Sequence, residues 1–258
     1  MKTIRQISGY WEPNQIRILH DFGIDVNEGI QSFIIEEDEV YHQLEPLLAE
    51  WNILNTRSFI FSDQEIKTAS YCVLKGWHEV GYPMPDGNNG YIHLTYDDCK
   101  LCHHCFCGLV QKSSFRIKII PKWNIWGLNW IYDELFTRRE IYDDFFSSYS
   151  IGYKDVRDYK TDNIINGVVQ LLIPVADESL DLSKYDKTIC SVCGMTKYGA
   201  KDNGFFPVYK SQTFHIFKTK EFFGYDGNCF RKIIVSSDMR EALVERKLFK
   251  LHDFIPCK

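Results

Sequence analysis

An α+β fold is predicted by three observations: short aromatic and β-branched stretches recur along the whole chain, helix-start signals fall between them, and two separated cysteine pairs require distant turns to meet. The sheets are expected to be mixed or antiparallel with short helices, and the cysteine turns to be two knuckles closing one zinc-ribbon-like site. A chain of 258 residues is long enough to bury a sizeable core without depending on metal alone.

From Ile4 to Ile35, Tyr10, Trp11, Ile16, Ile18, Phe22 and Phe33 alternate with Gly9, Pro13, Gly23 and Gly29, which reads as strands and turns. Glu36-Glu37-Asp38-Glu39 then precedes Val40, Leu44, Leu47, Leu48 and Trp51 at helical spacing. Carboxylates are favoured at a helix N-terminus, and this outweighs reading the run as a docking patch. Pro46 is expected to kink or split that helix.

Ser58–Ser62 predicts a strand, and Ser62-Asp-Gln-Glu65 is a capping box opening a helix through Ile66, Ala69, Cys72 and Leu74 to Gly76. The turn formers of Gly81–Gly90 mark an expected boundary between an N-terminal subdomain, 1–90, and a knuckle-bearing subdomain, 91–258. Tyr91–Tyr96 and Phe115–Ile120 read as strands. Trp123, Trp126 and Trp130 fit a core better than a binding surface. Thr137-Arg-Arg-Glu140 is a second capping box leading into Ile141 and Phe145. Asn163–Pro174 is the strongest strand signal and is expected at the centre of a sheet. Thr213–Phe217 and Lys232–Ser236 are strands, Ser237-Asp238 caps a helix to about Lys247, and Leu248–Ile255 returns as a strand.

The net charge of −5 disfavours a nucleic-acid surface, which depends on clustered Lys and Arg, and suits a basic protein partner. No apolar run reaches membrane-spanning length and the start has no secretory h-region, so a cytoplasmic protein is expected. Six of the nine cysteines lie in two short clusters, a pattern that fits a metal in a reducing compartment better than a disulfide framework.

Those clusters are Cys99-Lys-Leu-Cys102-His-His-Cys105-Phe-Cys107-Gly108 and Cys190-Ser-Val-Cys193-Gly194. Thiols three positions apart can reach one tetrahedral ion, and two such pairs make a closed structural zinc site. In the second cluster the pair is Cys190/Cys193. In the first, Cys102/Cys105 is favoured, because Cys107-Gly108 and Gln111 then follow as the outgoing turn and strand; Cys99/Cys102 is the alternative. With 84 residues between Cys105 and Cys190, the metal would join two hairpins brought together by the fold. Reduced core cysteines without an ion are the plain alternative. A catalytic metal would use His103 or His104 with Asp97 or Asp98, as in a metal-dependent hydrolase or a nucleic-acid-modifying enzyme.

Nucleotide-binding glycine loops, a Gly-x-Ser-x-Gly elbow, His-Glu-x-x-His and the zinc-deaminase signature are all absent from the sequence. His20, His42, His93, His215 and His252 read as ordinary strand or surface residues. Cys72 reads as core, while Cys229 and Cys257 show no partner in the sequence.

Cys102-x2-Cys105, Cys190-Ser-Val-Cys193-Gly194 and the closing stretch Ile233-Ile-Val-Ser-Ser-Asp-Met-Arg-Glu-Ala-Leu-Val244 together give a chain that resembles the bacterial double-CXXCG immunity proteins. The likeness spans roughly residues 95 to 255. In the first cluster the glycine stands at 108 rather than directly after the second thiol. The resemblance implies a non-enzymatic protein that binds a cognate toxin in the cytoplasm and blocks its active surface.

Overall fold

The computed structural model describes residues 1–200, 203–210, 212–225 and 228–258. The chain forms two compact units: Met1–Glu65 with Asp202–Phe205, and Ile66–Lys201 with Phe206–Lys258. The break falls at Glu65, so the turn-rich Gly81–Gly90 segment lies inside the second unit. The class is mixed α and β, with mostly antiparallel sheets and short helices.

The first unit runs β1 (Lys2–Trp11), α1 (Pro13–Asp21), β2 (Gly29–Glu36), α2 (Glu39–Glu50) and β3 (Leu54–Ile60), with sheet order β2-β1-β3 and antiparallel pairing throughout. Ile7 and Trp11 from β1 meet Leu19, Tyr41, Leu44 and Leu48 from the helices in one buried core. Helix α1 replaces an expected turn. Pro13 sits in its first turn, where a missing amide costs nothing, and Glu12 and Gln15 close a reciprocal capping box.

In the acidic run, Asp38 caps α2 by accepting from the Val40 and Tyr41 amides at 3.0 and 3.2 Å. Glu37 pairs with Arg5 and Arg57, and Glu36 with Lys2. These carboxylates are therefore engaged within the unit. Pro46 lies inside α2, which continues through it. The buried face of Tyr41, Leu44 and Leu48 holds the helix together across the lost backbone bond.

Helix α3 (Asp63–Thr68) opens with the expected capping box: Glu65 Oε2 accepts from the Ser62 amide at 2.8 Å, and Ser62 Oγ accepts from the Glu65 amide at 3.3 Å. It stops at Thr68. The residues expected to extend it form β4 (Tyr71–Leu74), because Tyr71-Cys-Val-Leu74 is filled with strand formers and two strands flank it. After β5 (His78–Glu79) comes α4 (Gly90–Thr95), a helix where a strand was expected, burying Tyr91, Ile92 and Thr95. These buried positions are one, three and four residues apart, a helical spacing.

The remaining elements are β6 (Arg116–Ile117), β7 (Ile125–Leu128), β8 (Ile131–Arg138), α5 (Arg139–Asp144), β9 (Gly152–Asp158), β10 (Ile164–Leu172), β11 (Lys187–Ile189), β12 (Thr196–Tyr198), β13 (Ile216–Lys218), β14 (Phe222–Phe223), β15 (Ile233–Ser236), α6 (Ser237–Glu245) and β16 (Phe254–Pro256). They build sheets in the orders β5-β7-β8-β10-β9-β6, β11-β12-β14 and β13-β15-β4-β16. Strand β10 is interior, as its apolar run predicts. Thr137 caps nothing; it lies buried in β8, where its hydroxyl donates to the Asn124 carbonyl at 2.8 Å. Of the three tryptophans only Trp126 is fully buried, whereas Trp123 and Trp130 are partly exposed. Ser236, one residue earlier than expected, caps α6 by accepting from the Met239 amide. Leu248–Ile255 strands only at its end.

Two buried charges tie this unit together. On α6, the Arg240 guanidinium donates to the carbonyls of Ile66, Lys67 and Ala69 at 2.8, 2.8 and 2.7 Å, binding the C-terminal end of α3 and the residue just beyond it. On β13, the Lys218 ammonium donates to Glu134 of β8, whose other oxygen accepts from Gln170. Burial works to lower the Lys218 ammonium, but the Glu134 and Asp133 carboxylates hold it above its ordinary value. No helix among the described residues is long and apolar enough to cross a membrane.

Candidate metal centre

Both cysteine pairs sit on the tips of tight turns. The first follows α4 and is closed at its base by bridging between Tyr96 and Gln111, with the Asp97 amide donating to the Val110 carbonyl. The second is the tip of the β11–β12 hairpin, where Ile189 pairs with Thr196.

The turns are built alike, atom for atom along the backbone. In the first, the Phe106 amide donates to the Cys102 carbonyl at 2.7 Å and the Cys102 amide to the Cys107 carbonyl at 3.0 Å. In the second, the Gly194 amide donates to the Cys190 carbonyl and the Cys190 amide to the Met195 carbonyl, both at 2.9 Å. The leading thiol of each pair receives the amides two and three residues on: His104 and Cys105 for Cys102, Val192 and Cys193 for Cys190. The trailing thiol receives the amide two residues on, Cys107 for Cys105 and Met195 for Cys193. Six backbone donors therefore surround four sulfurs, and such donors stabilise thiolate charge.

These bonds set the electrostatics. The Cys105 and His104 amides hold Cys102 below the usual thiol value, and the Cys193 and Val192 amides, with the His104 ring, bring Cys190 down to about 6. Burial pushes Cys105 up to about 12. Cys193 accepts the Met195 amide, yet burial and the neighbouring Cys102 and Cys190 thiols carry it upward. Thiols crowded like this repel one another when ionised, and a cation relieves that repulsion.

Across the turns, Cys102 Sγ lies 3.9 Å from Cys190 Sγ, and Cys105 Sγ 3.5 Å from Cys193 Sγ. All four sulfurs lie within 4.8 Å of one another, close enough to hold one metal ion. The remaining members of the first cluster have other places. Cys99 is exposed and outside the four-sulfur group. Cys107 is joined to Cys229 in a disulfide, with Cα atoms 5.4 Å apart. That bond supplies the partner that Cys229 lacks in the sequence, and a separation of 122 residues left no spacing signal for it. Cys72 and Cys257 are free and buried.

His104 Nδ1 lies 3.4 Å from Cys190 Sγ, beside the cluster. Asp97 accepts the Cys99 amide at 3.0 Å, and Asp98 is held by His93 at 2.9 Å, so both carboxylates have local partners. His93, read from sequence as a strand residue, is on α4 and anchors this turn.

Phe106 and Gly194, the residues directly after the trailing thiols, are left-handed, at φ +57° and +72°. Gly108 answers a different need: at φ +87° a Cβ there would stand 2.3 Å from the Lys100 carbonyl oxygen. The displaced glycine of the first motif thus serves close chain approach, and Phe106 takes the left-handed position at a steric cost.

Compared with family models, with curated proteins and with solved structures, the chain matches none.

Proposed function

We propose that this chain is an immunity protein stapled by structural zinc, which binds a cognate protein toxin and blocks its active surface. The observation that carries the metal assignment is the four-sulfur group with its matched sets of amide donors. Zinc bonded to four thiolates at about 2.3 Å has sulfur–sulfur edges of about 3.8 Å, and the cross-turn distances of 3.5 and 3.9 Å bracket that value. Four protein thiolates leave no position for substrate, so the ion would hold the turns together and carry no chemistry.

A structural metal in a chain without catalytic motifs favours a binding role, and the double-cysteine pattern with its strand-helix-strand ending is what resembles the immunity family. The experiment is co-production with the toxin-like product of the neighbouring gene. Protection of growth and a stoichiometric complex are expected; unchanged toxicity with no complex would remove the reading.

A metal-dependent hydrolase using His103 or His104 with Asp97 or Asp98 draws support only from His104 beside Cys190. Replacing both histidines with alanine separates the two: a hydrolase loses activity, whereas an immunity protein keeps its protection.

A further inference from the structure

The sheet of the first unit packs helices against one face only. On β1, Ile7 and Trp11 point into the core, so Gln6, Ser8 and Tyr10 alternate to the other side. The registers Tyr10↔Ile30, Gln6↔Ile34, Ser8↔Leu54 and Lys2↔Ile60 place the matching residues of β2 and β3 beside them. Ile30 is 87% exposed, and Ile34 and Leu54 are each 66% exposed. Tyr10 and Ile60 are exposed as well. Five large apolar side chains on one sheet face are far more than scattered surface residues.

The polar groups between them are matched. Ser32 donates to Ser8 across the strands at 2.8 Å, so that pair can lose water at little cost. Among the described residues the only charges on this face, Lys2 and Glu36, bond each other at 2.8 Å at one end. The face is therefore electrically neutral on a chain whose net charge is −5. A basic or acidic partner would find no opposite charge here to pay for its own desolvation. Two copies of this chain, by contrast, repel over the rest of their surface and can meet on a neutral face without placing like charges together.

Three strands of about seven residues cover roughly 14 by 23 Å. With its side chains, this face offers on the order of 500 Å² per copy, or about 1,000 Å² in a pair, which reaches the lower bound for a specific interface. We propose that this face is a homodimer interface, in which two copies pack sheet against sheet with strands about 30° apart. The helices then form the outer layers. The proposal is independent of the metal and of the toxin reading.

Sedimentation of the full chain between about 1 and 100 µM, the span of a micromolar dimer, tests it. The wild type should sediment as a dimer. Ile34→Arg and Leu54→Arg should weaken association by roughly 100-fold or more, because each buries an unpaired charge, while circular dichroism stays unchanged. Thr56→Arg, at an exposed polar position on the same face, should do the same and covers the case in which an apolar replacement disturbs folding. Ile119→Arg, equally exposed but in the second unit, should leave the dimer intact. A monomeric wild type, face variants that remain dimeric, or equal dissociation by Ile119→Arg would each overturn the proposal.

Discussion

Phe106 occupies in the first cysteine turn the left-handed position that Gly194 occupies in the second, each donating its amide to the carbonyl of the leading cysteine of its pair. One backbone motif is thus written twice, once with the residue that suits it and once with a residue whose ring packs against the neighbouring core.

At position 106 the usual ranking of glycine and alanine should reverse. Both Phe106→Gly and Phe106→Ala lose the ring's packing, but only glycine removes the left-handed strain. Phe106→Gly should therefore be more stable than Phe106→Ala by about 1 kcal/mol in urea unfolding of the metal-loaded protein. The opposite order would show that the turn is not left-handed in solution.

The four sulfurs should carry one zinc ion per chain by metal analysis. Cys190→Ser or Cys193→Ser should lose the ion and several kcal/mol of stability, and a strong chelator should reproduce the loss in the wild type. Cys99→Ser should leave both content and stability unchanged, since that thiol lies outside the cluster.

Arg240 serves three carbonyls from full burial, and its ion-pair partner Glu241 is exposed. Arg240→Met should cost about 3–5 kcal/mol in denaturant unfolding, because three buried hydrogen bonds at the end of α3 would be lost. A cost below about 1 kcal/mol would mean that water replaces the guanidinium.

The Lys218–Glu134 pair should behave as a unit. Lys218→Met alone leaves a buried carboxylate and should cost about 3–5 kcal/mol, whereas the double change Lys218→Met with Glu134→Leu should recover much of that loss. Additive costs in the double-mutant cycle would argue against direct coupling.

Asp158 closes the turn between β9 and β10 by accepting the Thr161 amide, the Thr161 hydroxyl and the Lys160 amide at 2.8, 2.9 and 3.0 Å. The Thr161 amide and hydroxyl are the main reasons its carboxyl lies below the ordinary 3.8. A depressed carboxyl contributes stability above pH 3.8, and that contribution disappears as pH falls from there through the lowered folded value. Asp158→Asn should flatten the acid limb of the stability profile in this window. An identical limb in wild type and variant would assign the acid sensitivity to other groups.

Local signals proved legible where the residues involved are close in sequence. The Ser62–Glu65 box opens its helix, Asn163–Pro174 supplies an interior strand, and the C-x-x-C spacing marks the two turns whose thiols meet, since three residues are what a tight turn needs to aim two sulfurs at one point. Failures came where one composition serves two conformations. Tyr71–Leu74 is a strand because β15 and β16 flank it, Tyr91–Thr95 is a helix because its buried positions follow helical spacing against the core, and Pro13 starts a helix where strands and turns were expected.

The sequence by itself determined the class, the paired thiols and the caps, all of which depend on bonds between residues a few positions apart. Only the tertiary structure decided which cysteine of the first cluster joins the four, that Cys107 bonds Cys229, that Arg240 ends a helix more than 170 residues away, and that one sheet face remains uncovered. These relations join residues far apart in the chain. Their energy comes from burial and from neighbours that exist only once the chain has folded, so no local pattern in the sequence encodes them.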